Sequence, residues 1–326
     1  MYSESLRSSP TAAVGAFLLL AALWGSSFVA IEAGLAYFPP LLFAGARYAL
    51  AGVAVLAYAT VVSDRWVPRG REEWLGVGIA GGFVIAAYHG LLYVGELHVS
   101  GAIAAVIVSL SPVLTAAFAA LLLPNERLGP FEAAGFALGV VGVAVIADPG
   151  GVGVGAGGGN GILGVLSPEL LGVALVFLAA VSFSAGAVLL RPLRTDLPIA
   201  ALQGWAMMVG AGLLFGGAAV TGESPAAVVW NTTSIVSLAY LTVLSGIVGF
   251  LLYFALLDAV GPTQLHLVSY VEPVVAAVGS WIVLGHLIGG EAVLGFVAIL
   301  VGFAALERRE IAAYVSTRPE LGSFRS

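Results

Sequence analysis

The sequence predicts an all-α integral membrane protein with ten transmembrane helices, arranged as two inverted five-helix repeats. Three observations lead to this fold class: the composition, the number of long apolar segments, and the similarity between the two halves of the chain. Hydrophobic residues make up 60% of the 326 residues, and charged residues only 9%. A soluble domain of this size would need far more polar surface, so we place the chain in a bilayer.

Ten apolar segments are candidates for crossing the hydrocarbon core, which takes about 20 residues of helix. The fifth and the tenth are short and would have to stand nearly upright. The predicted spans are 12–35, 40–62, 74–95, 100–123, 131–147, 168–190, 199–220, 234–257, 264–284 and 291–306.

The arginines test this count independently. If all ten segments cross, every arginine outside a span falls on one side of the membrane, and only Arg47 lies within a span. The positive-inside rule assigns that side to the cytoplasm. We therefore expect a multi-pass protein of the cell membrane with both termini in the cytoplasm. The arginines on that side are Arg7, Arg65, Arg69, Arg71, Arg127, Arg191, Arg194, Arg308, Arg309, Arg318 and Arg325.

The two halves of the chain align when one is shifted by about 160 residues. The aligned pairs include Tyr93 with Tyr253, Gly101 with Gly261, Gly135 with Gly295, and Gly142 with Gly302. Five helices per half is an odd number, so the halves must enter the membrane in opposite senses, as in many secondary transporters. The predicted boundaries are 1–147 for the first repeat, 148–165 for a Gly-rich outer linker, 166–306 for the second repeat and 307–326 for a cytoplasmic tail.

Residue types that are missing exclude several kinds of site. The chain contains no cysteine, which excludes disulfides and thiol-bound metals, and no lysine, which excludes a Schiff base and a phosphate-binding P-loop. The Gly-rich stretch 148–165 is therefore interpreted as a flexible linker. The net charge of -6 argues against a nucleic-acid partner. We expect neither a cofactor nor a metal.

Glu272 is the first candidate for the functional site, because it lies deep within the ninth span. An ionisable group at that depth is costly and is by default a functional hypothesis. A structural carboxyl bonded to the backbone is the alternative. Pro273 follows it and Pro112 occupies a similar place in the fourth span, so both helices are expected to kink. Burial would raise the affinity of Glu272 for a proton, which suggests proton coupling.

Arg47 is the second candidate, because it is expected about 10 Å below the outer end of helix 2. A guanidinium retains its charge and requires an anion. Three partners are open: Glu272, Glu32 near the end of helix 1, or a carboxylate of the solute.

Further candidates are aromatic and polar side chains within the spans. His89, Tyr93 and Glu96 share one face of helix 3 and could form a gate, a cavity wall or ordinary interhelical hydrogen bonds. Trp24 lies midway through helix 1 and could stack on a solute or simply pack. Weaker candidates of the same kind are Gln203 and Trp205 on helix 7, and His266 and Tyr270 on helix 9.

Several short motifs, in order and in both halves, resemble the signatures of the EamA-type drug/metabolite transporter superfamily. They are Trp24-Gly-Ser-Ser-Phe28, Ala46-Arg47-Tyr48, Ser111-Pro112, Asn125-Glu126-Arg127-Leu128, Tyr270-Val-Glu-Pro-Val274 and Leu284-Gly285. The resemblance covers roughly 12–306. It implies a ten-helix carrier of small organic solutes with a central cavity between the repeats. The second copy departs from the pattern, since His286 stands where the first copy has Glu126.

These observations favour a secondary active transporter, an exporter or exchanger, that moves small metabolites by alternating access. The mixture of acidic and basic candidates suggests amino acids or related zwitterions. An intramembrane enzyme acting on a lipid or isoprenoid is one alternative, although the sequence has no recognised catalytic motif. A passive solute channel is another. The expected partners are the solute and membrane lipid, and a monomer or a homodimer is compatible with two repeats in one chain.

Overall fold

The computed structural model describes residues 9–124, 126–127, 129–147, 167–193, 195–260, 265, 267–306 and 308. The whole of the predicted linker, 148–165, and most of the C-terminal tail lie outside the described residues. In the described part, all regular structure is helical, and ten helical segments follow one another as the sequence predicts. This confirms the all-α, ten-helix fold class.

The helices are numbered α1 to α10 in chain order. Three of them, α3, α4 and α8, are each assembled from shorter segments. The bounds are Pro10–Leu35 (α1), Pro40–Val62 (α2), Gly70–Gly95 (α3), Gly101–Leu122 (α4), Pro130–Ile146 (α5), Pro168–Leu190 (α6), Ile199–Thr221 (α7), Thr232–Ala239 continuing to Gly249–Val260 (α8), Val268–Leu284 (α9) and Gly290–Leu306 (α10).

Local sequence explains where these helices begin and end. The hydroxyls of Ser9, Ser100 and Ser167 accept hydrogen bonds from the first turns of α1, α4 and α6. Such caps satisfy backbone donors that have no partner inside the helix. At the other end of a helix, Gly222 and Gly285 terminate α7 and α9 with positive φ angles of 78° and 74°. Glycine adopts that conformation without steric cost.

Among the described residues, seven helices are long and apolar enough to span a membrane, and α5, α9 and α10 are shorter apolar helices. The short fifth and tenth helices were expected. The ninth was predicted to begin at 264, whereas α9 begins at Val268, with Leu267 as its N-cap. Its 17 residues span about 26 Å, close to the thickness of the hydrocarbon core.

Two helices contain π-helical segments at equivalent positions of the repeats. In α3 the segment is Ala80–Ala87, and in α8 it is Tyr240–Val248. Their starting points differ by about 160 residues, the same offset that aligns the two halves. Because π-helical turns widen a helix locally and are frequent at functional sites, this shared irregularity makes α3 and α8 candidate helices for a functional site.

The two halves pack into each other rather than side by side. Helix α1 of the first half contacts α8 and α9 of the second, and α6 of the second half correspondingly contacts α3 and α4 of the first. Helix α2 packs along α7, its own counterpart. These reciprocal contacts are those expected of an inverted repeat with a pseudo-twofold axis in the membrane plane.

The peripheral pair α5 and α10 shows the same symmetry at glycines. A Cβ atom added to Gly302 would lie 2.5 Å from the carbonyl oxygen of Gly135, and one added to Gly295 would lie 2.6 Å from that of Gly142. Gly135 and Gly295 are equivalent in the two repeats, as are Gly142 and Gly302, so the two contacts are related by the symmetry of the repeats. The backbones of the two helices therefore touch directly, as small residues permit in membranes.

We expect Gly302→Ala to destabilise the protein by about 1–3 kcal/mol, because the added methyl forces the two backbones apart. The matched control is Gly216→Ala on α7, where a Cβ meets nothing within 4 Å. The measurement is the temperature at which detergent-solubilised protein stops eluting as a single species. If Gly302→Ala and the wild type lost their single elution peak at the same temperature, the backbones of α5 and α10 would not be in direct contact at Gly302.

Candidate functional site

Arg47 lies at the centre of the candidate site and is buried, with 4% of its surface exposed. Its Nη1 atom donates to the hydroxyl of Tyr93 on α3 at 3.1 Å, and its Nη2 atom donates to the hydroxyl of Ser245 on α8 at 3.1 Å. The guanidinium also lies 4.9 Å from the ring centroid of Tyr48. One side chain thus joins α2 to both helices that contain π-helical segments.

No described carboxylate forms an ion pair with Arg47, and its Nε atom is buried without an acceptor. Of the three partners that the sequence left open, Glu32 is bonded elsewhere. Its carboxylate accepts from the backbone N–H of Gly101 at 2.8 Å and lies 2.8 Å from Nδ1 of His286. Arg47 is therefore a buried cation held by neutral acceptors.

His89 is fixed from both sides of its ring. Its Nε2 atom is hydrogen-bonded to the hydroxyl of Tyr48, and its Nδ1 atom lies 3.0 Å from the carbonyl of Ile85 in the π-helical segment. Tyr88 packs edge-on against the same ring. Both nitrogens are engaged, and no group of three metal-ligating side chains occurs among the described residues. His89 thus links α3 to α2 through the hydroxyl of Tyr48.

Glu272 is buried, with 8% of its surface exposed. Its backbone carbonyl faces Gly25, where an added Cβ would lie 2.7 Å from that oxygen, and Gly25 is near the middle of α1. Within the described part of the chain, no side chain or backbone group is hydrogen-bonded to its carboxyl. Among the described residues, Glu272 is therefore a buried carboxyl that lies against the middle of α1.

Trp24 packs against α8. Its Nε1 atom donates to the carbonyl of Ser245 at 3.3 Å, and its ring stacks on Tyr253 with the centroids 5.3 Å apart. Two residues further along α1, Ser26 and Tyr240 share a hydrogen bond of 2.5 Å. Trp24 therefore positions the π-helical residue whose hydroxyl accepts from Arg47.

Glu96, at the C-terminal cap of α3, is also buried, with 5% of its surface exposed. Neither carboxyl oxygen has a hydrogen-bond partner among the described residues. Burial, and then the charge of Glu32, raise the pKa of Glu96 well above its usual range. Glu96 lies one turn beyond Tyr93, at the outer end of the same helical face.

Two of the predicted site residues, Gln203 and Tyr270, lie on parts of α7 and α9 that have other neighbours than Arg47. Gln203 precedes Gly204, which packs against Leu56, and Leu56 is about 13 Å along α2 from Arg47. Tyr270 packs against Phe303 of α10, with ring centroids 4.2 Å apart. His266 lies outside the described residues.

Trp205, the neighbour of Gln203, donates from Nε1 to the carbonyl of Trp66 at 3.0 Å. Its ring also stacks on that of Trp66. This contact lies in the N-terminal part of α7.

The two prolines act differently. Helix α4 divides at Ser109 and Leu110, directly before Pro112. The hydroxyl of Ser111 donates to the carbonyl of Val108 at 2.7 Å and so satisfies the acceptor that lacks a helical donor because Pro112 has no N–H. Helix α9 continues through Pro273.

A groove of about 410 Å³ runs between α2, α3, α6 and α7, away from these polar groups. Its lining is apolar and includes Leu213, half of whose surface is exposed. It contains no charged side chain and therefore lacks the chemistry expected of a site for a polar solute.

Ser245, Tyr48 and Tyr88 contact Arg47 or His89, and none of them was predicted from the sequence to be a site residue. Ser245 stands in an apolar run, and only its alignment with Ile85, in the other π-helical segment, distinguishes it. Tyr48 follows Arg47 and Tyr88 precedes His89 in the sequence. Their position next to a candidate residue was the one feature that could have identified them.

Comparisons with known proteins agree on one kind of protein. The "Uncharacterized inner membrane transporter YedA" of Escherichia coli (strain K12) is 28% identical over 85% of this chain and 83% of its own. The "Probable amino-acid metabolite efflux pump" of Salmonella typhimurium is 27% identical over 87% and 91%, respectively. The "Probable terminal-alkyne amino-acid exporter" of Streptantibioticus cattleyicolor is 34% identical over 43% of this chain and 46% of its own.

A solved crystal structure shares the fold, with a TM-score of 0.61 at 20% identity, and the match covers 92% of this chain and 98% of that one. The EamA-like transporter family matches twice, at residues 11–147 and 170–307, so that each half of the chain corresponds to one family domain. The chain is a multi-pass membrane protein and belongs to the EamA-like transporter family.

Proposed function

We propose that this protein is a secondary active transporter of small zwitterionic metabolites such as amino acids, and that it works by alternating access between its two repeats. The observation that carries the proposal is the buried guanidinium of Arg47, which has no carboxylate partner among the described residues. A buried cation held by neutral groups still attracts an anion, and a solute carboxylate would supply one.

The relatives support the same class of solute. Two of the proteins similar to this chain have names that refer to amino-acid metabolite efflux and to amino-acid export. The polar groups of this chain suit such a molecule, because a zwitterion needs one positive and one negative contact. We assign the positive contact to Arg47, with Tyr93 and Ser245 orienting its guanidinium. His89 and Tyr48 complete the wall.

Glu272 provides the coupling step in this proposal. It is buried and unpaired in the described structure, so its charged form is disfavoured until water or a solute reaches it. Binding of an ammonium group would favour the ionised carboxyl and release its proton. Opening to the other side would allow a proton to displace the solute, which is exchange by alternating access.

The remaining assignments also belong to this proposal. Both repeats, 1–147 and 166–306, lie in one chain, so a monomer could complete the site, while the 148–165 linker joins them on the outer side. The positions of the arginines support a cytoplasmic location for both termini, including the 307–326 tail.

Glu272→Gln should leave saturable counterflow of labelled amino acids intact in proteoliposomes but remove its response to an imposed pH gradient. The amide retains hydrogen bonding and cannot ionise. Glu72→Gln, which changes an exposed carboxyl at the start of α3, is the matched control and should behave as wild type. A pH response in Glu272→Gln equal to that of the wild type would remove Glu272 from the coupling step. Conduction without saturation would favour a channel.

The orientation can be tested because the natural chain has no cysteine. In intact cells, a membrane-impermeant maleimide should label Ala226→Cys, in the loop between α7 and α8, but not Glu72→Cys, in the first turn of α3. Both positions are exposed. After the cells are permeabilised, both variants should be labelled. The reverse pattern in intact cells would place the termini outside.

A further inference from the structure

The outer end of the bundle contains two carboxyls with opposite surroundings. Glu32 on α1 is close to three donors: the N–H of Gly101, the imidazole of His286 and, at 3.5 Å, the hydroxyl of Ser280. Glu96 at the end of α3 has none among the described residues, although its side chain is more deeply buried. Glu32 is thus bonded as an anionic carboxylate requires, whereas Glu96 is not.

The charged and titratable groups around Glu96 favour a neutral carboxyl. Glu32 is within electrostatic range and repels a second negative charge, while Arg47 on α2 attracts one from further away, since it forms no ion pair with Glu96. On its own helix, the groups in range are Tyr88 and Tyr93. The adjoining α6 contributes only the exposed Glu169, and α4 has no titratable residue. His98, two residues further along the chain, is half-buried and is not hydrogen-bonded to Glu96. Among the described residues, an ionised Glu96 would therefore have neither a hydrogen-bond donor nor an ion-pair partner.

Tyr88 connects this outer carboxyl to the deeper one. It lies eight residues before Glu96, about 12 Å down the helix. Its half-buried side chain is within electrostatic range of both Glu96 and Glu272, although the two glutamates are on different repeats. Glu96, Tyr88 and Glu272 therefore follow one another from the outer end of α3 towards α9.

We propose that Glu96 is a proton-binding site at the outer end of the bundle that relays protons between the outer solution and Glu272. In the described structure, where Glu96 is buried, its carboxyl carries the proton. In the transfer step, the O–H bond of Glu96 breaks and water molecules that enter between the helices carry the proton to Tyr88, about 12 Å down α3, while Tyr88 gives its own proton through water to the Glu272 carboxylate. Glu96 is left anionic, Tyr88 is unchanged, and Glu96 is reprotonated from outer water when this end opens. The relay role rests on the proposed transport function, whereas the protonated state of Glu96 does not.

The direct test is infrared difference spectroscopy of purified protein in an ester-free detergent at neutral pH. The wild type minus Glu96→Gln spectrum should contain the carbonyl stretch of a protonated carboxylic acid, shifted in heavy water. The wild type minus Glu72→Gln spectrum should instead contain carboxylate stretches, because Glu72 is exposed. Carboxylate stretches in the Glu96 spectrum would overturn the proposal. No solute is needed, so this result is independent of whether transport is found.

If Glu96→Gln does not fold, the same acid band can be followed in Glu32→Gln. Removing the neighbouring negative charge should move the loss of that band to lower pH, because the ionised form of Glu96 is then less disfavoured. A band that titrates at the same pH in the wild type and in Glu32→Gln would contradict the assignment to Glu96.

Stability provides a second readout. Folded Glu96 retains its proton at a pH where the unfolded chain has lost it, so the unfolded state binds fewer protons and stability falls as the pH rises above the ordinary pKa of a glutamate. The thermal midpoint of the wild type should therefore fall more steeply with rising pH than that of Glu96→Gln. Equal slopes would mean that Glu96 is ionised in the folded protein.

The relay itself is tested in proteoliposomes with whichever labelled amino acid the wild type exchanges. Glu96→Gln should retain counterflow at equal pH on the two sides, because Arg47 and Glu272 are intact, and lose the response to the pH of the outer solution. A wild-type response in Glu96→Gln would overturn the relay even if Glu96 were protonated. Absence of counterflow in the wild type would instead be a failure of the proposed function.

Discussion

The buried charge of Arg47 is the constraint on which the rest of the site depends. An arginine does not lose its proton on burial, so the protein has to stabilise the cation. In the described structure the stabilising groups are neutral: the hydroxyls of Tyr93 and Ser245 and the ring of Tyr48. Because neutral acceptors compensate a charge less completely than a carboxylate does, Arg47 retains an attraction for anions that a closed ion pair would have removed.

The two π-helical segments explain how an apolar bundle surrounds such a group. In α3, the segment Ala80–Ala87 presents the carbonyl that fixes His89, and in α8, Tyr240–Val248 presents both the hydroxyl for Arg47 and the carbonyl for Trp24. Irregular backbone is tolerated at membrane depth where protein groups satisfy it. Since α3 and α8 are equivalent helices of opposite repeats, any change in their relative position would alter the Arg47 contacts directly.

The fold was largely readable from the sequence because its determinants are local or periodic. Apolar length predicted the spans, and the arginines fixed their number independently. The hydrogen-bond partners of Arg47 were not predictable from the sequence, because Glu32 lies at a suitable depth for an ion pair. Only the tertiary structure shows that Glu32 is bonded to Gly101 and His286 instead. Likewise Tyr270 had suitable chemistry, but the packing of α9 places its ring against Phe303 of α10. Ser245 was missed because a π-helical turn leaves no periodic signal.

The most direct test of the account is whether the solute must carry a carboxylate. In wild-type proteoliposomes, counterflow would be compared for each labelled amino acid of a panel and for the amine formed by its decarboxylation, which has the same side chain and no anionic group. If Arg47 is the solute-binding cation, the amino acid should exchange saturably and the matching amine should not. Equal exchange of the amine and the amino acid would contradict the central role assigned to Arg47.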